Sequence, residues 1–339
     1  MTETPPASGM LVTTDLAALG QHFGDAMLRW SDNSNPLGYH PIPVISLKGG
    51  EGPVVLLTGG THGDEFEGPS AIMRLVQRLD PSLMHGQIIA IPALNMPAVS
   101  VSSRVTPLDG ANLNRAFPGD SQGGPTAMIA DFLQAQILPL CDAAIDLHSG
   151  GRASFFQPCT LPTKTPDAEL ASTNMDLAHA FGLPLIWRLG PLNDNRSLNG
   201  AAERAGVPMI ATELGGGGGV DPDITDAAET GILNVLRHLG VLDGEPAPAP
   251  GQRTVELVEP GDSLFARADG LFDRAIRAGQ DVVAGDFAGQ FHYVGEPERP
   301  SDTLRIPRDG MVLAHSNRGM VKRGELLALI VRDVKEPTP

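Results

Sequence analysis

The chain has 339 residues, of which 41% are hydrophobic, and its formal net charge at pH 7 is −16. This length is about twice the size of a common domain, so it predicts two domains. The lysines and arginines form no basic stripe, and we therefore discount nucleic acid and anionic membranes as partners.

The N-terminus and the cysteine content bear on the cellular location. The opening stretch, MTETPPASGM, lacks a basic segment followed by an apolar one, so no signal peptide is predicted. No apolar run reaches the ~20 residues that cross a bilayer. Two cysteines, Cys141 and Cys159, give no disulfide framework. We expect a cytoplasmic protein without a membrane partner.

Residues 1–40 are interpreted as an N-terminal extension, and the first domain is predicted over residues 41–242. Short apolar runs alternate there with amphipathic stretches. Six strands are predicted, at 43–47, 53–59, 87–93, 142–148, 184–189 and 207–214. Several runs are rich in β-branched residues and apolar on both faces, which indicates a covered, largely parallel sheet.

Three helices are predicted between these strands. They cover residues 69–79, 126–138 and 225–239, where apolar residues recur at helical spacing. Thr126 is interpreted as the cap of the second helix, and Gly240 as the stop of the third. The alternation of strand and helix predicts an α/β domain with helices flanking the sheet.

The composition changes after residue 242. Residues 243–252 are rich in proline and are interpreted as a semi-rigid linker. Beyond them, short alternating runs are punctuated by glycine, and no convincing amphipathic helix is present. Residues 253–335 are therefore predicted to form a small all-β domain.

Polar residues follow three of the predicted strands in the first domain. His62 and Glu65 follow the second strand, His148 ends the fourth, and Glu213 lies at the end of the sixth. Ligands of open α/β sheets bind outside the carboxyl ends of the strands. We therefore expect these four side chains at the same edge of the sheet.

His62, Glu65 and His148 are predicted to hold a zinc ion. His62 and Glu65 are three residues apart, so one turn brings them to one side, and His148 completes a His₂Glu set. Three such ligands leave a fourth position for water, and imidazole with carboxylate suits zinc better than magnesium or calcium. Asp146 is a candidate to orient one of these ligands.

Glu213 is predicted to be the general base. A carboxylate within hydrogen-bond reach of the attacking water can accept its proton and pass it to a leaving amine. Five glycines follow Glu213, so the backbone there can approach a substrate closely and adopt positive φ.

The loop 102–119 contains two cations, Arg104 and Arg115. Either arginine can stabilise a developing oxyanion. Arg115, next to Asn114, can also make a forked contact with a carboxylate. This loop is therefore the candidate for substrate binding.

Structural explanations compete with these assignments. A single histidine is usually structural, so the zinc hypothesis depends on three strand-end motifs occurring together. Asp64 and Glu67 are interpreted as solvated or capping residues rather than ligands. Arg196 is equally compatible with a pocket wall and with a surface loop.

Four stretches resemble a known family: GGTHGDEFEG, NLNRAFPG, IDLHSGG and TELGGGG. In order and spacing they are similar to the succinylglutamate desuccinylase/aspartoacylase family, which are zinc-dependent amide hydrolases related in fold to the zinc carboxypeptidases. The resemblance spans about residues 40–335. It implies a mixed, largely parallel sheet flanked by helices, with a trailing β domain.

The resemblance implies a metal centre and a base at named positions. His62, Glu65 and His148 would be the ligands of one Zn²⁺ per chain, and Glu213 would be the general base and acid. The long glycine run is most similar to the branch that hydrolyses N2-acetyl-2,4-diaminobutyrate in ectoine breakdown. The implied partner is thus a small N-acyl amino acid.

The resemblance also implies substrate contacts. Asn114 and Arg115 would hold the carboxylate of the substrate, and Arg104 would polarise the scissile carbonyl. Arg196 leaves open a dicarboxylic acyl chain in place of acetyl, and the alternative function is a desuccinylase or aspartoacylase acting on a dicarboxylic substrate. Two further alternatives are a carboxypeptidase and a non-catalytic zinc-binding protein, the latter disfavoured by Glu213, which binding alone does not need.

The C-terminal domain resembles a lipoyl/biotinyl-like hybrid barrel, a barrel-sandwich-like fold. Such carriers present a modified lysine at a hairpin tip, whereas the corresponding stretch here, VVAGDFAGQF, contains no lysine. We therefore expect a structural domain, which narrows the mouth of the active site or forms a homo-oligomer interface.

Overall fold

A computed structural model of the chain describes residues 9–31, 36–189, 193–249, 251–257, 261 and 263–334. The helices are α1 Glu67–Arg78, α2 Met96–Val99, α3 Pro125–Phe132, α4 Ala168–Phe181, α5 Leu198–Ala205 and α6 Pro222–His238. The strands are β1 Leu11–Val12, β2 Gly20–Leu28, β3 His40–Lys48, β4 Val54–Gly59, β5 Gln87–Ile91, β6 Ala143–His148, β7 Ser154–Phe156, β8 Cys159–Pro162, β9 Leu185–Trp187, β10 Met209–Glu213, β11 Arg253–Glu256, β12 Leu264–Phe265, β13 Gly270–Arg274, β14 Asp281–Val282, β15 Phe287–His292, β16 Asp302–Arg305, β17 Gly310–Ser316, β18 Met320–Val321 and β19 Leu326–Asp333.

Four parallel strands form the centre of the large sheet, in the order β5-β4-β6-β10. β5 and β6 are buried along their whole length, as expected for strands that helices cover on both faces. Antiparallel strands flank this centre, so the sheet is mixed. The six strands predicted in this domain are all present, which confirms the α/β class.

Helices cover the two faces of the sheet. α1, α4 and α6 share one core with alternate residues of the strands, such as Val55 and Leu57. α3 and α5 share the second core with the residues between them, such as Leu56. The alternation of side chains along a strand divides the apolar residues of each run between these two cores.

The predicted helices are found with adjusted ends. Asp221 accepts hydrogen bonds from the first turn of α6, so that helix begins earlier than predicted. Thr126 is not the cap of α3, since it lies inside the first turn and its hydroxyl donates to Asp109 Oδ1 at 2.7 Å. The sequence patterns missed α4 and α5.

The described residues near the N-terminus belong to the sheet. β1 pairs with β2, and β2 runs antiparallel to β3 along nine residue pairs. Residues 11–28 of the predicted extension therefore supply an edge of the sheet. Among the described residues, no helix combines the length and the apolar character needed to cross a membrane.

The C-terminal region is built from strands, as predicted. β13, β15, β16 and β18 form a separate four-stranded sheet, whereas β11, β19, β17 and β14 extend the large sheet beyond β9. β17 also pairs with the short β7. The sequence-based domain boundaries stay predictions, but these pairings tie the C-terminal strands to the first domain.

Candidate active site

A cavity of about 460 Å³ opens at the carboxyl ends of β4, β6 and β10. β4 and β10 both pair with β6, and Glu213 lies opposite His148 in that register. The cavity is lined by His62, Glu65, Arg104, Asn114, Arg115, His148, Ser149, Gly150, Ala153, Ser154, Phe156, Leu161, Trp187, Leu189, Asn193, Asp194, Ser197, Asn199, Ala211, Thr212 and Glu213. All seven residues predicted for the site therefore line one cavity.

His62, Glu65 and His148 form a compact cluster of metal-ligating atoms. One donor atom from each lies within 4.8 Å of the other two, and all three side chains are buried. The Glu65 carboxylate contacts both imidazoles, with Oε1 2.8 Å from His62 Nδ1 and Oε2 2.8 Å from His148 Nδ1. The predicted ligands thus converge on one point.

The outer nitrogen of each imidazole has an acceptor. Asn112 Oδ1 is 3.1 Å from His62 Nε2, and Asp146 Oδ2 is 2.8 Å from His148 Nε2. With a metal bound at the Nδ1 atoms, these acceptors would hold the remaining proton of each ring on Nε2. Two imidazoles and one carboxylate are a donor set that fits zinc.

Asp146 is itself fixed by two hydroxyls. Thr58 and Thr61 donate to its Oδ1 atom at 2.8 and 3.1 Å, while Oδ2 faces His148. Asp146 and His148 lie two residues apart on β6 and so share a face of the strand. The predicted orienting contact is therefore present.

Asn112 contacts the predicted ligand His62 and was not predicted from the sequence patterns. Its Oδ1 accepts a hydrogen bond from Asn114 N at 2.9 Å, and the same oxygen faces His62. Asparagine commonly accepts such a bond from the residue two positions later. The spacing of two residues between Asn112 and Asn114 was thus the sequence feature that could have predicted this turn.

The charges in this cluster lower the pKa of Glu65 and raise the pKa of His148. Burial alone would raise the pKa of Glu65, but the two histidines lower it well below its usual range. Burial alone would lower the pKa of His148, but the charges of Asp146 and Glu65 raise it well above its usual value. Charge partners therefore dominate over desolvation at both groups.

The turn between His62 and Glu65 requires glycine at position 63. A Cβ atom there would lie 2.1 Å from the carbonyl carbon of Ala98. The Gly63 amide donates to Ser103 O at 3.0 Å, which joins this turn to the loop of Arg104. Close backbone approach thus places the first ligands beside the predicted substrate loop.

The neighbouring acids, Asp64 and Glu67, are buried rather than solvated. Asp64 Oδ2 accepts a hydrogen bond from the Arg152 amide at 2.9 Å, and Glu67 is the first residue of α1. Neither belongs to the His–Glu–His cluster. Of the two structural explanations, solvation is wrong because the turn packs against the segment that follows β6. Glu67 lies in the first turn of α1, where a carboxylate is favourable.

Glu213 faces the cluster from the end of β10. Its Oε2 atom is buried and has no hydrogen-bond partner within the described part of the chain. Burial, and then the charge of Glu65, raise the pKa of Glu213 to about 8. An isolated carboxylate with a raised pKa is suited to accept and return a proton.

The glycines after Glu213 adopt the predicted positive φ, with 70° at Gly215 and 146° at Gly216. A Cβ atom at Gly216 would lie 2.2 Å from Ser154 O. Gly215 O accepts hydrogen bonds from the amides of Gly150 and Phe156. This loop therefore packs closely against β7, and the glycines serve backbone packing.

The two predicted substrate-binding arginines are half-exposed at the cavity. Arg104 NH1 lies 3.2 Å from Glu65 Oε1. Arg115 Nε lies 3.1 Å from Asp194 Oδ2, and its NH1 group donates to the carbonyl oxygen of Asn114. Both guanidinium groups therefore border the cavity and already contact acceptors.

Asn114 connects the metal cluster to α5. Its Oδ1 accepts a hydrogen bond from Leu198 N at 3.0 Å, and its Nδ2 lies 3.5 Å from His148 Nε2. The amide group is thus oriented by the first turn of α5. Its nitrogen end is the part that faces the cavity ligands.

Arg196 does not line the cavity. Its side chain is 65% exposed and makes a forked contact with Asp194, at 3.0 Å from Nε to Oδ1 and 2.8 Å from NH2 to Oδ2. The surface-loop interpretation is therefore the correct one. Asp194, which the sequence patterns missed, lines the cavity in its place.

One wall of the cavity is apolar. Phe156 and Trp187 stack with ring centroids 6.4 Å apart, and Leu161, Leu189 and Ala211 complete the surface. β17 supports this wall from outside through its pairing with β7. This wall offers no charge to a bound group.

Comparison with known proteins places this site in a family. A model of the succinylglutamate desuccinylase/aspartoacylase catalytic domain matches residues 51–239, more than half of the chain. The chain belongs to the succinylglutamate desuccinylase/aspartoacylase family. The family assignment predicted from the four motifs is confirmed.

Members of this family with similar sequences include an N-alpha-acetyl-L-2,4-diaminobutyric acid deacetylase from Halomonas elongata. It is 35% identical over 330 residues, which cover 97% of this chain and 96% of that protein. The relatedness thus extends over nearly the full length of both. Since the relative is a deacetylase, the predicted amide-hydrolysing class is confirmed.

Solved structures of the family agree with the fold. The product-bound ectoine utilization protein EutE (DoeB) from Ruegeria pomeroyi superposes with a TM-score of 0.93 at 32% identity, covering 96% of this chain and 99% of that one. A succinylglutamate desuccinylase/aspartoacylase from Rhodobacter sphaeroides gives 0.91 at 35% identity, covering 96% and 100%. The predicted fold class is confirmed, including the small all-β sheet in the C-terminal region.

Proposed function

We propose that this chain is a zinc-dependent deacetylase that hydrolyses N2-acetyl-L-2,4-diaminobutyrate or a similar N-acetyl amino acid. The observation that carries the proposal is the convergence of His62, Glu65 and His148, with Glu213 facing them across the cavity. The Halomonas elongata relative, which is named for this substrate, supports the choice among amides.

His62, Glu65 and His148 would hold the metal, because their donor atoms converge and the two outer imidazole nitrogens have acceptors. When bound there, zinc supplies a Lewis acid that lowers the pKa of water and polarises a carbonyl. Asp146 keeps the His148 ring in the ligating tautomer.

Glu213 moves the protons of the reaction. Its carboxylate accepts a proton from the attacking water and then donates it to the nitrogen of the departing α-amine. Hydroxide from one water bonds to the carbonyl carbon, and the C–N bond breaks as the nitrogen receives the first proton. The proton of the resulting carboxylic acid then passes to the amine, so the products are acetate and the amino acid in its ammonium form. The absence of a competing partner for Oε2, within the described residues, leaves this atom available for the transfer.

The arginines position the substrate. Arg115, with its remaining N–H groups and the Asn114 amide, binds the α-carboxylate. Arg104, beside Glu65, donates to the carbonyl oxygen of the scissile amide, where negative charge develops. Holding the carboxylate and the carbonyl at two fixed points presents the amide carbon to water.

The cavity favours an acetyl group over a dicarboxylic acyl chain. A succinyl chain needs a further cation, and Arg104 and Arg115 are the two cations that line the cavity among the described residues. Arg196 points outward and is engaged by Asp194. The apolar wall around Phe156 and Trp187 suits a methyl group instead.

A deacylation assay tests this proposal. Purified protein is stripped with a chelator, reloaded with zinc, and supplied with N2-acetyl-L-2,4-diaminobutyrate, N-acetyl-L-aspartate or N-succinyl-L-glutamate, and release of free amine is measured. We expect zinc-dependent turnover, with kcat/KM highest for the first substrate. Preference for N-succinyl-L-glutamate would contradict the acetyl assignment, and preference for N-acetyl-L-aspartate would contradict the choice of amino acid. Binding of zinc without turnover of any amide would indicate a non-catalytic protein.

A further inference from the structure

Asp194 is a cavity carboxylate without a role in the reaction derived above. Three acidic side chains line the cavity within the described residues, namely Glu65, Glu213 and Asp194. Glu65 is assigned to the metal and Glu213 to proton transfer. Asp194 therefore carries a negative charge that neither hydrolysis nor metal binding uses.

Two arginines contact Asp194 in different ways. Arg196 holds both carboxylate oxygens in a fork from the solvent side, and its backbone amide donates to Oδ1 at 2.9 Å. Arg115 contacts Oδ2 alone, at 3.1 Å from Nε. These hydrogen bonds from Arg196, followed by the charge of Arg115, hold the pKa of Asp194 below its usual range, so it stays charged at neutral pH.

The contact between Arg115 and Asp194 is open to exchange. The two side chains are 44% and 25% exposed, and ion pairs in such positions contribute little to stability. The fork from Arg196 would keep Asp194 in place if Arg115 turned away. A ligand with two opposite charges can therefore replace this contact at small cost.

The proposed substrate has these two charges. N2-acetyl-2,4-diaminobutyrate carries an α-carboxylate and, two methylene groups beyond the α-carbon, an ammonium group. Resting on the function proposed above, we infer that Asp194 recognises the side-chain ammonium while Arg115 binds the carboxylate. The substrate then replaces the contact between Arg115 and Asp194 with one contact to each, and Asp194 determines specificity for a cationic side chain.

The apolar wall provides no alternative for the ammonium. The apolar residues that line the cavity, among them Leu161, Leu189 and Ala211, carry no anionic group. Of the acids at the cavity, Glu65 is buried against two histidines, and Glu213 is needed at the amide nitrogen. Charge complementarity thus assigns the ammonium to Asp194.

The test compares two substrates that differ in one group. N-acetyl-L-norvaline has a methyl group where N2-acetyl-L-2,4-diaminobutyrate has the ammonium. With zinc-loaded wild type we expect a preference for the cationic substrate. Asp194→Asn should lower kcat/KM for that substrate by roughly 10- to 100-fold, mainly through KM, the range for losing a hydrogen bond to a charged group, and change norvaline hydrolysis by less than about 3-fold. Asp194→Glu should restore part of the preference.

The controls separate this inference from the proposed function. Asp243→Asn removes an exposed carboxylate far from the cavity lining and should leave the preference unchanged. If Asp194→Asn impairs both substrates equally, Asp194 only positions Arg115, and the inference is wrong while the function stands. Equal kcat/KM values for the two substrates in wild type would also overturn it. If wild type hydrolyses neither, the proposed function fails and the inference with it.

A binding measurement covers the case in which the variants fold poorly. Zinc-loaded wild type is titrated with the products L-2,4-diaminobutyrate and L-norvaline by calorimetry. We expect the diaminobutyrate to bind at least about 10-fold more tightly, since only it carries the group that Asp194 would contact. Equal affinities would contradict a role for Asp194 in recognition.

Discussion

The metal cluster differs in construction from the substrate wall, the name used here for Arg115 and Asp194, although both line one cavity. His62, Glu65 and His148 are buried, and each imidazole has contacts on both nitrogens. Arg115 and Asp194 are partly exposed and contact each other across the rim. The cluster is therefore fixed before any ligand arrives, whereas the wall can exchange its internal contacts for contacts with a substrate.

This difference in burial separates the residues that would hold the metal from the residues that would bind the substrate. An unpaired charge in a low dielectric is costly, so buried charges need partners at all times. Accordingly, Asp146 contacts His148 and Asn112 contacts His62. Exposed charges are solvated when unpaired, so arginine contacts at the wall can form and break. Substitutions in the two regions should accordingly affect different constants.

Removing the proton acceptor should have the largest effect. Glu213→Gln keeps the size of the side chain but cannot take a proton, and we expect kcat to fall by about 10²- to 10⁴-fold with zinc still bound. Steady-state kinetics together with metal analysis measure both quantities. Turnover near the wild-type level in a zinc-loaded variant would show that another group transfers the proton.

Substituting Asp146, which contacts the metal ligand His148, should lower the affinity for zinc. Asp146→Asn removes the charge that stabilises the proton on His148 Nε2, and we expect zinc affinity to fall by about 10- to 100-fold. Competition with a chromophoric chelator gives the dissociation constant, with Asp243→Asn as the matched exposed control. An unchanged constant would mean that the buried network does not tune this ligand.

Substituting Arg115 in the substrate wall should raise KM. Arg115→Lys keeps the charge but loses the planar fork, and we expect KM for the acetylated substrate to rise roughly 10-fold while kcat changes by less than about 3-fold. The comparison between the two regions predicts unchanged zinc content in this variant. A fall in kcat with constant KM would instead place Arg115 at the reacting atoms.

A separate prediction concerns the pH dependence of stability in metal-free protein. The pKa of Glu213 is about 8 in the fold against an ordinary value of 4.5. The folded state thus keeps a proton that the unfolded state loses, so the free energy of unfolding should fall as pH rises from about 4.5 to about 8. Thermal unfolding of wild type and Glu213→Gln at several pH values measures this, and parallel curves would contradict the raised pKa.

Much of the fold was accessible from the sequence, because runs such as 53–59 and 142–148 are apolar on both faces and end at glycine or histidine. α4 and α5 were missed, although Asp167 and Ser197 cap them. α5 is only eight residues long, and α4, with 14 residues, buries the polar Asn174 within its apolar face. Tertiary packing against β8 and β10 supplies what these local patterns lack.

The sequence by itself determined which side chains follow the strands, since strand ends and motif spacing are local properties: hence His62, Glu65, His148 and Glu213. Only the tertiary structure decided their distances, because β4, β6 and β10 are joined by pairings between residues far apart in the chain. It also decided that Arg196 turns outward and Asp194 inward, which local spacing cannot specify because loop side chains take their direction from the contacts they meet.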